Sequence, residues 1–296
     1  MKQVSIAVDR STVPRLMSHF DHQGHRLAYT EYGEGPRTCV LLHGLLLSQK
    51  MHRPLARSLA RRGNRVVTLD LLGHGESDRP PDMSKYAMPF YGAQVIALLD
   101  HLGVDQAVVA GTSLGANVTL EAAVRAPERV RGLVVEMPVL DNALLGCAIA
   151  FTPVLCAMTF GEPVMKGVSW LTRRIPTGGA WGLDVLLDLV RQDPGPSAAV
   201  IQGLFSQRVA PHRDLRRTIE APALVIGHDR DPVHPFSDGE ALVQELPAAR
   251  LLRADSLLEL RLTPERLTVE IAGFLEECWR PRNTGQTRFR RASGAA

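Results

Sequence analysis

Short apolar runs recur along the chain with helix-patterned segments between them, and this alternation limits the fold more than any other feature. TCVLLHG, NRVVTLDLLGHG, QAVVAG, RGLVVEMP, APALVIGHDRD and ARLLRAD each hold a strand-length apolar core bounded by turn residues. Pro54–Gly63, a segment through Val95–Leu102, the stretch after Ser113 and PERLTVEIAGFLEECW carry helical patterns. Strands buried on both faces read as continuous apolar runs, and parallel neighbours need crossover helices to connect them. The expectation is an α/β protein with a mostly parallel, doubly wound sheet. The segment HFDHQGHRLAYTEYGEGP departs from this pattern: it alternates about Gln23-Gly24 and predicts an antiparallel hairpin.

The strand pattern lapses between about Val139 and Arg217, where apolar and amphipathic helical segments follow one another. That predicts a core over residues 18–138 and 218–280 with a helical cap, 139–217, inserted over the sheet. Leu144–Phe160 carries no charge. It sits at the short limit of a membrane span, contains Gly146 and Pro153, and has no basic cluster flanking it in sequence. A buried cap helix pair is the expectation, with membrane contact through the cap as the alternative. Residues 1–17 read as an N-terminal extension without a secretory signal, and 281–296 as a disordered basic tail.

Charge narrows the partners. The net charge is +3, but five arginines from Arg280 onward, with no acid among them, leave the rest of the chain at −2. Such a body is no nucleic-acid platform. Hydrophobic residues make up 45% and charged residues 22%, the balance of a soluble globular protein. Cys39, Cys147, Cys156 and Cys278 lack metal-ligand spacing and read as reduced thiols of a cytoplasmic protein. No metal or cofactor is implied. The oligomeric state is not readable.

In open α/β sheets the site lies at the carboxyl ends of the strands. Those ends read His43-Gly44-Leu45, Asp70 to Ser77, Gly111-Thr112-Ser113-Leu114-Gly115, Glu136, and Gly227 to Pro232. The serine stands between two glycines where a strand gives way at once to a helix, a sharp turn that presents one hydroxyl. In register with LLHG, DLLGHGESD and LVIGHDRDPVHP, the GTSLG motif resembles the α/β-hydrolase superfamily, specifically its cap-bearing serine hydrolase branch, over about residues 20–279. The resemblance implies Ser113 as nucleophile and the N–H groups of Leu114 and Leu45 as an oxyanion hole. It also implies Asp231 as the acid that orients an imidazole. Asp229 competes for that place, while Glu136 and Asp141, after the preceding strand, are expected at a cap hinge or surface.

One element of the pattern is missing. The family carries its histidine after the last strand, where this chain reads ARLLRADSLLELRLTPERL, with Asp255 or Leu257 at the expected place depending on register. No histidine follows His234. His234 and His228, which flank Asp231, are the candidate bases. His43 and His74 belong to loop motifs, and His19, His22, His25, His52, His101 and His212 are expected at the surface. The reading is a serine-hydrolase-type protein acting on an ester-like or acyl, lipophilic small molecule. The alternatives are a catalytically impaired member that binds a ligand or partner and, less favoured, an acyltransferase.

Overall fold

The computed structural model describes residues 16–176 and 180–280. The basic tail expected at 281–296, and all but the last two residues of the extension expected at 1–17, lie outside the described residues. Eight strands form one sheet: β1 (Ser18–His22), β2 (His25–Tyr32), β3 (Arg37–Leu42), β4 (Asn64–Leu69), β5 (Ala107–Thr112), β6 (Val130–Glu136), β7 (Ala223–His228) and β8 (Ala249–Ala254). Their order in space is β1-β2-β4-β3-β5-β6-β7-β8. β1 and β2 form the expected hairpin, with Gln23 and Gly24 both at positive φ in its two-residue turn. β2 runs antiparallel to β4, and all later neighbours are parallel.

The register lines up the carboxyl ends of the parallel strands. Leu42 pairs with both Leu69 and Gly111, Thr112 with Glu136, and His228 with Ala254. Residues of β5 alternate between two cores. Ala107 and Val109 pack under α2 (Met88–His101), α3 (Leu114–Arg125) and α9 (Phe236–Glu245). Val108 and Ala110 pack under α1 (Arg53–Ala60) and α11 (Glu265–Trp279). This two-sided burial is why the strand runs are continuously apolar. α2 begins well before the segment through Val95, because Pro89 is tolerated in a first turn where its missing N–H has no partner to lose.

Between β6 and β7 the described residues form only helices: α4 (Leu144–Phe160), α5 (Glu162–Thr172), α6 (Trp181–Val190), α7 (Pro194–Phe205) and the short α8 (Arg213–Arg216). A further short helix, α10 (Glu259–Leu262), precedes α11. Polar ties bind these helices to the sheet edge. Trp181 Nε1 donates to the Lys50 carbonyl at 2.9 Å, and Gln192 Nε2 to that of Leu46 at 3.1 Å. Lys50 pairs with Asp188 at 2.7 Å.

The expectation of a buried helix pair is not met by α4. It is helical throughout, but only 17% of its most apolar stretch is buried. One stripe, including Cys147, Phe151 and Met158, faces the protein, and among the described residues no layer lies over the opposite stripe. A helix apolar on all sides thus has a partner on one side only.

The tightest packing in the sheet lies where α3 leaves β5. A Cβ on Gly115 would sit 2.2 Å from the Leu42 carbonyl oxygen, and one on Gly111 2.1 Å from that of Gly115. Both neighbours are backbone and cannot swing away. Gly115→Ala is therefore expected to lower stability by about 1–3 kcal/mol, the usual cost of forcing a methyl into packed structure. Urea unfolding followed by circular dichroism measures this, and an unchanged midpoint would contradict the packing argument.

Candidate active site

Ser113 occupies the turn between β5 and α3 with φ 54° and ψ −111°, a left-handed conformation that an L-residue adopts only under constraint. Such strain costs on the order of 1–3 kcal/mol and persists where the surroundings over-determine it. Here Ser113 N–H donates to the Glu136 carbonyl at 2.9 Å, and the Ser113 carbonyl accepts from Asn117 N–H at 3.1 Å. The two flanking glycines let the helix close down on the strand. Asn117 also fixes the chain above it: its Nδ2 donates to the carbonyls of Val139 and Val209, and its Oδ1 accepts from Val139 N–H.

The loop after β3 approaches Ser113 from the other side. Leu71 N–H donates to His43 Nε2 at 3.0 Å, which places the ring proton on Nδ1, 2.8 Å from the Gly44 carbonyl. Burial lowers the His43 pKa despite the opposing charge of Asp70, so the ring is neutral and both its nitrogens are engaged. His43 thus shapes the loop that presents Leu45. Gly115 N–H donates to the His43 carbonyl at 3.1 Å, joining this loop to the start of α3. Leu114 is the first residue of α3, so its N–H has no acceptor within the helix. Leu45 and Leu114 both line the pocket at Ser113.

An imidazole does lie against the serine, and it comes from the loop after β7. Ser113 Oγ is 2.8 Å from His234 Nε2, and His234 Nδ1 is 2.8 Å from Asp231 Oδ2. The other Asp231 oxygen accepts from the N–H groups of Val233 and His234 at 2.8 and 3.0 Å. Burial alone would raise the Asp231 pKa, but the hydrogen bonds and charge of His234, with these backbone donors, outweigh it and hold the carboxyl below its usual value. The structure therefore brings together Ser113, His234 and Asp231. Asp229 stands apart, paired with Arg253 at the surface.

His228 is not brought to the serine. Its Nδ1 bonds the Ser256 carbonyl at 2.8 Å, and its Nε2 lies 3.3 Å from Glu136 Oε1, in ion-pair range but poorly aligned for a hydrogen bond. Glu136, expected at a hinge or surface, is instead buried beneath the serine turn. Arg261 pairs with it at 2.7 Å and also reaches Thr112, whose hydroxyl donates to the same carboxylate. Burial would raise the Glu136 pKa, but Arg261, His228 and Thr112 together drive it far below the usual range. His52, expected at the surface, is buried with Nε2 3.0 Å from the Leu42 carbonyl, and burial depresses its pKa to about 3. Neither residue of the last-strand loop stands beside the serine: Asp255 points outward against Arg266, and Leu257 is exposed.

The pocket over Ser113 is lined by apolar side chains, including Met88, Cys147, Phe151, Leu204 and Phe205. Its free volume is about 30 Å³, room for one or two waters. Among the described residues no group of three or more His, Cys, Asp or Glu side chains is placed to hold a metal ion.

A mostly parallel eight-stranded sheet with a strained serine turn at its centre defines an α/β-hydrolase fold. A family model described as alpha/beta hydrolase fold matches residues 38–148 of the chain, in agreement with that fold. It is 37% identical over 110 residues to bifunctional epoxide hydrolase 2 from Mus musculus, covering 37% of this chain and 20% of that protein. It is 35% identical over 142 residues to 2-hydroxymuconate semialdehyde hydrolase from Pseudomonas putida, covering 46% of this chain and 49% of that one. The similarity thus spans half or less of these curated relatives. Among solved structures, the enol-lactonase from Burkholderia xenovorans superposes with a TM-score of 0.70 at 22% identity, covering 88% of this chain and 100% of that chain. That likeness speaks for the fold.

The buried His228–Glu136 pair gives a pH signature. Burial pulls the His228 pKa down, but the Glu136 carboxylate outweighs burial and raises it above 6.5. A raised folded-state pKa contributes stability that is fully present below about pH 6.5 and is lost as pH rises through the folded value. His228→Gln keeps a polar group but loses the charge. It is expected to destabilise the protein more at pH 6 than at pH 9, and denaturant midpoints at both pH values measure this. An equal loss at both would show that the pair carries no charge.

Proposed function

We propose that this chain is a serine hydrolase of ester-like or other acyl substrates with an apolar acyl part, with α4–α7 as its cap. The observation that carries the reading is the unbroken chain of contacts from the Ser113 hydroxyl through His234 to Asp231. With Asp231 accepting from Nδ1–H, the free lone pair of the ring is at Nε2, facing the serine proton. His234 takes that proton as Ser113 Oγ attacks the acyl carbon, and later returns it to the leaving oxygen. Asp231 holds the ring's tautomer and stabilises the imidazolium. The N–H groups of Leu45 and Leu114 receive the negative charge on the carbonyl oxygen, each such donor being worth about 3–4 kcal/mol in the transition state. Water then repeats the cycle on the acyl-enzyme. The reading as an inert binding member drew on the missing C-terminal histidine, and an imidazole against Ser113 speaks against it. Nothing around the pocket favours an acyltransferase over a hydrolase.

Hydrolysis of p-nitrophenyl butyrate and labelling by a fluorophosphonate test the reading. Ser113→Ala should abolish labelling. His234→Ala should lower kcat/KM by roughly 10³-fold or more, and Asp231→Asn by about 10⁴-fold, the usual cost of losing the correct tautomer. Full activity in His234→Ala would refute the assignment of the base, and absence of labelling in folded wild type would refute the nucleophile.

The pocket lining yields a separate prediction. Phe151 projects from α4 into the small cavity, so Phe151→Ala should widen it. Esters with longer acyl chains should gain in kcat/KM relative to the acetate by several-fold, since each accommodated methylene is worth about 0.8 kcal/mol. An unchanged chain-length profile would place the acyl group elsewhere.

A further inference from the structure

We propose that the outer face of α4 and α5 docks on the surface of an anionic phospholipid bilayer. Along α4 the outward positions Leu145, Ile149, Pro153, Cys156 and Phe160 recur at spacings of three and four, one stripe of the helix. On the neighbouring helices Val164, Trp170 and Leu171 of α5 and Leu186 of α6 are exposed as well. Leu145, Ile149, Phe160, Val164, Trp170 and Leu171 are each between 60% and 85% exposed. Side chains of this size at such exposure make a patch comparable to the largest on ordinary monomers, about 300–600 Å², and such patches mark interaction sites. A helix apolar on all sides belongs in a core or against lipid, and α4 is not in the core.

Charge selects the partner. On α5 and its C-terminal turn, Lys166, Arg173 and Arg174 outnumber the single acid Glu162. Lys166 pairs with Glu162 at 2.7 Å, while the Arg174 guanidinium lies 3.3 Å over the ring of Trp170. Lys166, Arg173 and Trp170 line a surface groove of about 210 Å³, shared with Asp193. The nearby acids of α6, Asp184 and Asp188, turn inward to Arg53 and Lys50. Aromatic and aliphatic side chains bordered by Arg and Lys match the acyl–headgroup boundary of an anionic membrane. The helix lies on the bilayer and does not cross it. Its 17 residues reach only about 25 Å, short of the roughly 30 Å hydrocarbon core, and its inner stripe is committed to the pocket.

Flotation of the full chain carrying Ser113→Ala, so that no turnover occurs, tests the docking independently of the hydrolase reading. It should rise with vesicles of equal parts phosphatidylglycerol and phosphatidylcholine, and at least tenfold less with pure phosphatidylcholine. Arg173→Glu with Arg174→Glu should lower binding to the anionic vesicles about tenfold or more, since each surface cation contributes roughly fivefold. Ile149→Ser with Phe160→Ser should remove binding while leaving the melting temperature unchanged, because both side chains are exposed. Failure to float with either vesicle would overturn the proposal, as would binding that survives the Ile149 and Phe160 changes. A dimer in sedimentation that dissociates in Ile149→Glu, with no vesicle binding, would assign the face to a second copy of the chain instead.

Discussion

The close approach of α3 to β3 and β5 is the constraint on which the site rests. Gly115 sits against the Leu42 and His43 carbonyls with no room for a Cβ, and its N–H is bonded to one of them. That single contact places the start of α3, the end of β3 and the loop carrying Leu45 in one rigid block. Ser113 has nowhere to go but the left-handed turn, and its own N–H is held by Glu136 on the next strand. The backbone geometry that exposes the hydroxyl is thus the geometry that aligns the N–H groups beside it. On the proposed function, the N–H groups that would receive the charge are fixed before any substrate arrives and need little reorganisation.

A second constraint is local. Asp231 and His234 lie three residues apart, and the carboxylate that receives the ring proton also receives two backbone N–H groups of the same turn. The imidazole is therefore oriented by hydrogen bonds made within one turn, with no side chain of the segment after β8 among them. This leaves the loop after β8 free for another task. Arg261, on α10, enters beneath the serine turn and neutralises Glu136 together with His228. Removing one member of such a buried group typically costs about 3–5 kcal/mol, because the remaining charge is left without a partner. The network stabilises the floor of the site without touching the Ser113 hydroxyl.

The sheet was legible because burial on both faces imprints continuous apolar runs, and the glycines of the serine turn were legible because close backbone approach admits nothing larger. Ser113 and Asp231 followed from motifs fixed in register with strand ends. His234 could be named as a candidate, but its distance to Ser113 could not, since a three-residue spacing from the acid says nothing about which way the ring turns. Glu136 and His228 were named but given other places, and Arg261 was not named: their charges are paired across β6, β7 and α10, and a long-range ion pair leaves no periodicity. His52 was misplaced at the surface because it stands just before α1 while the carbonyl it meets, that of Leu42, ends β3. α7 opens on Pro194-Gly195-Pro196, a turn-like composition that conceals a mostly buried helix.

α4 joins these two levels. Its inner stripe lines the pocket, whose free volume of about 30 Å³ is room for one or two waters, so on the proposed function a larger substrate would displace Cys147 or Phe151. Elements with few buried contacts open at the lowest free energy, and α4 buries little of its surface while carrying no charge to anchor it. A charged outer face would hold such a helix in water and leave its inner packing to decide its position. An apolar outer face instead makes that position depend on what covers it. The same absence of charge that leaves α4 loosely held over Ser113 is what suits its other side to lipid, so access to the pocket and contact at the outer face are properties of one helix.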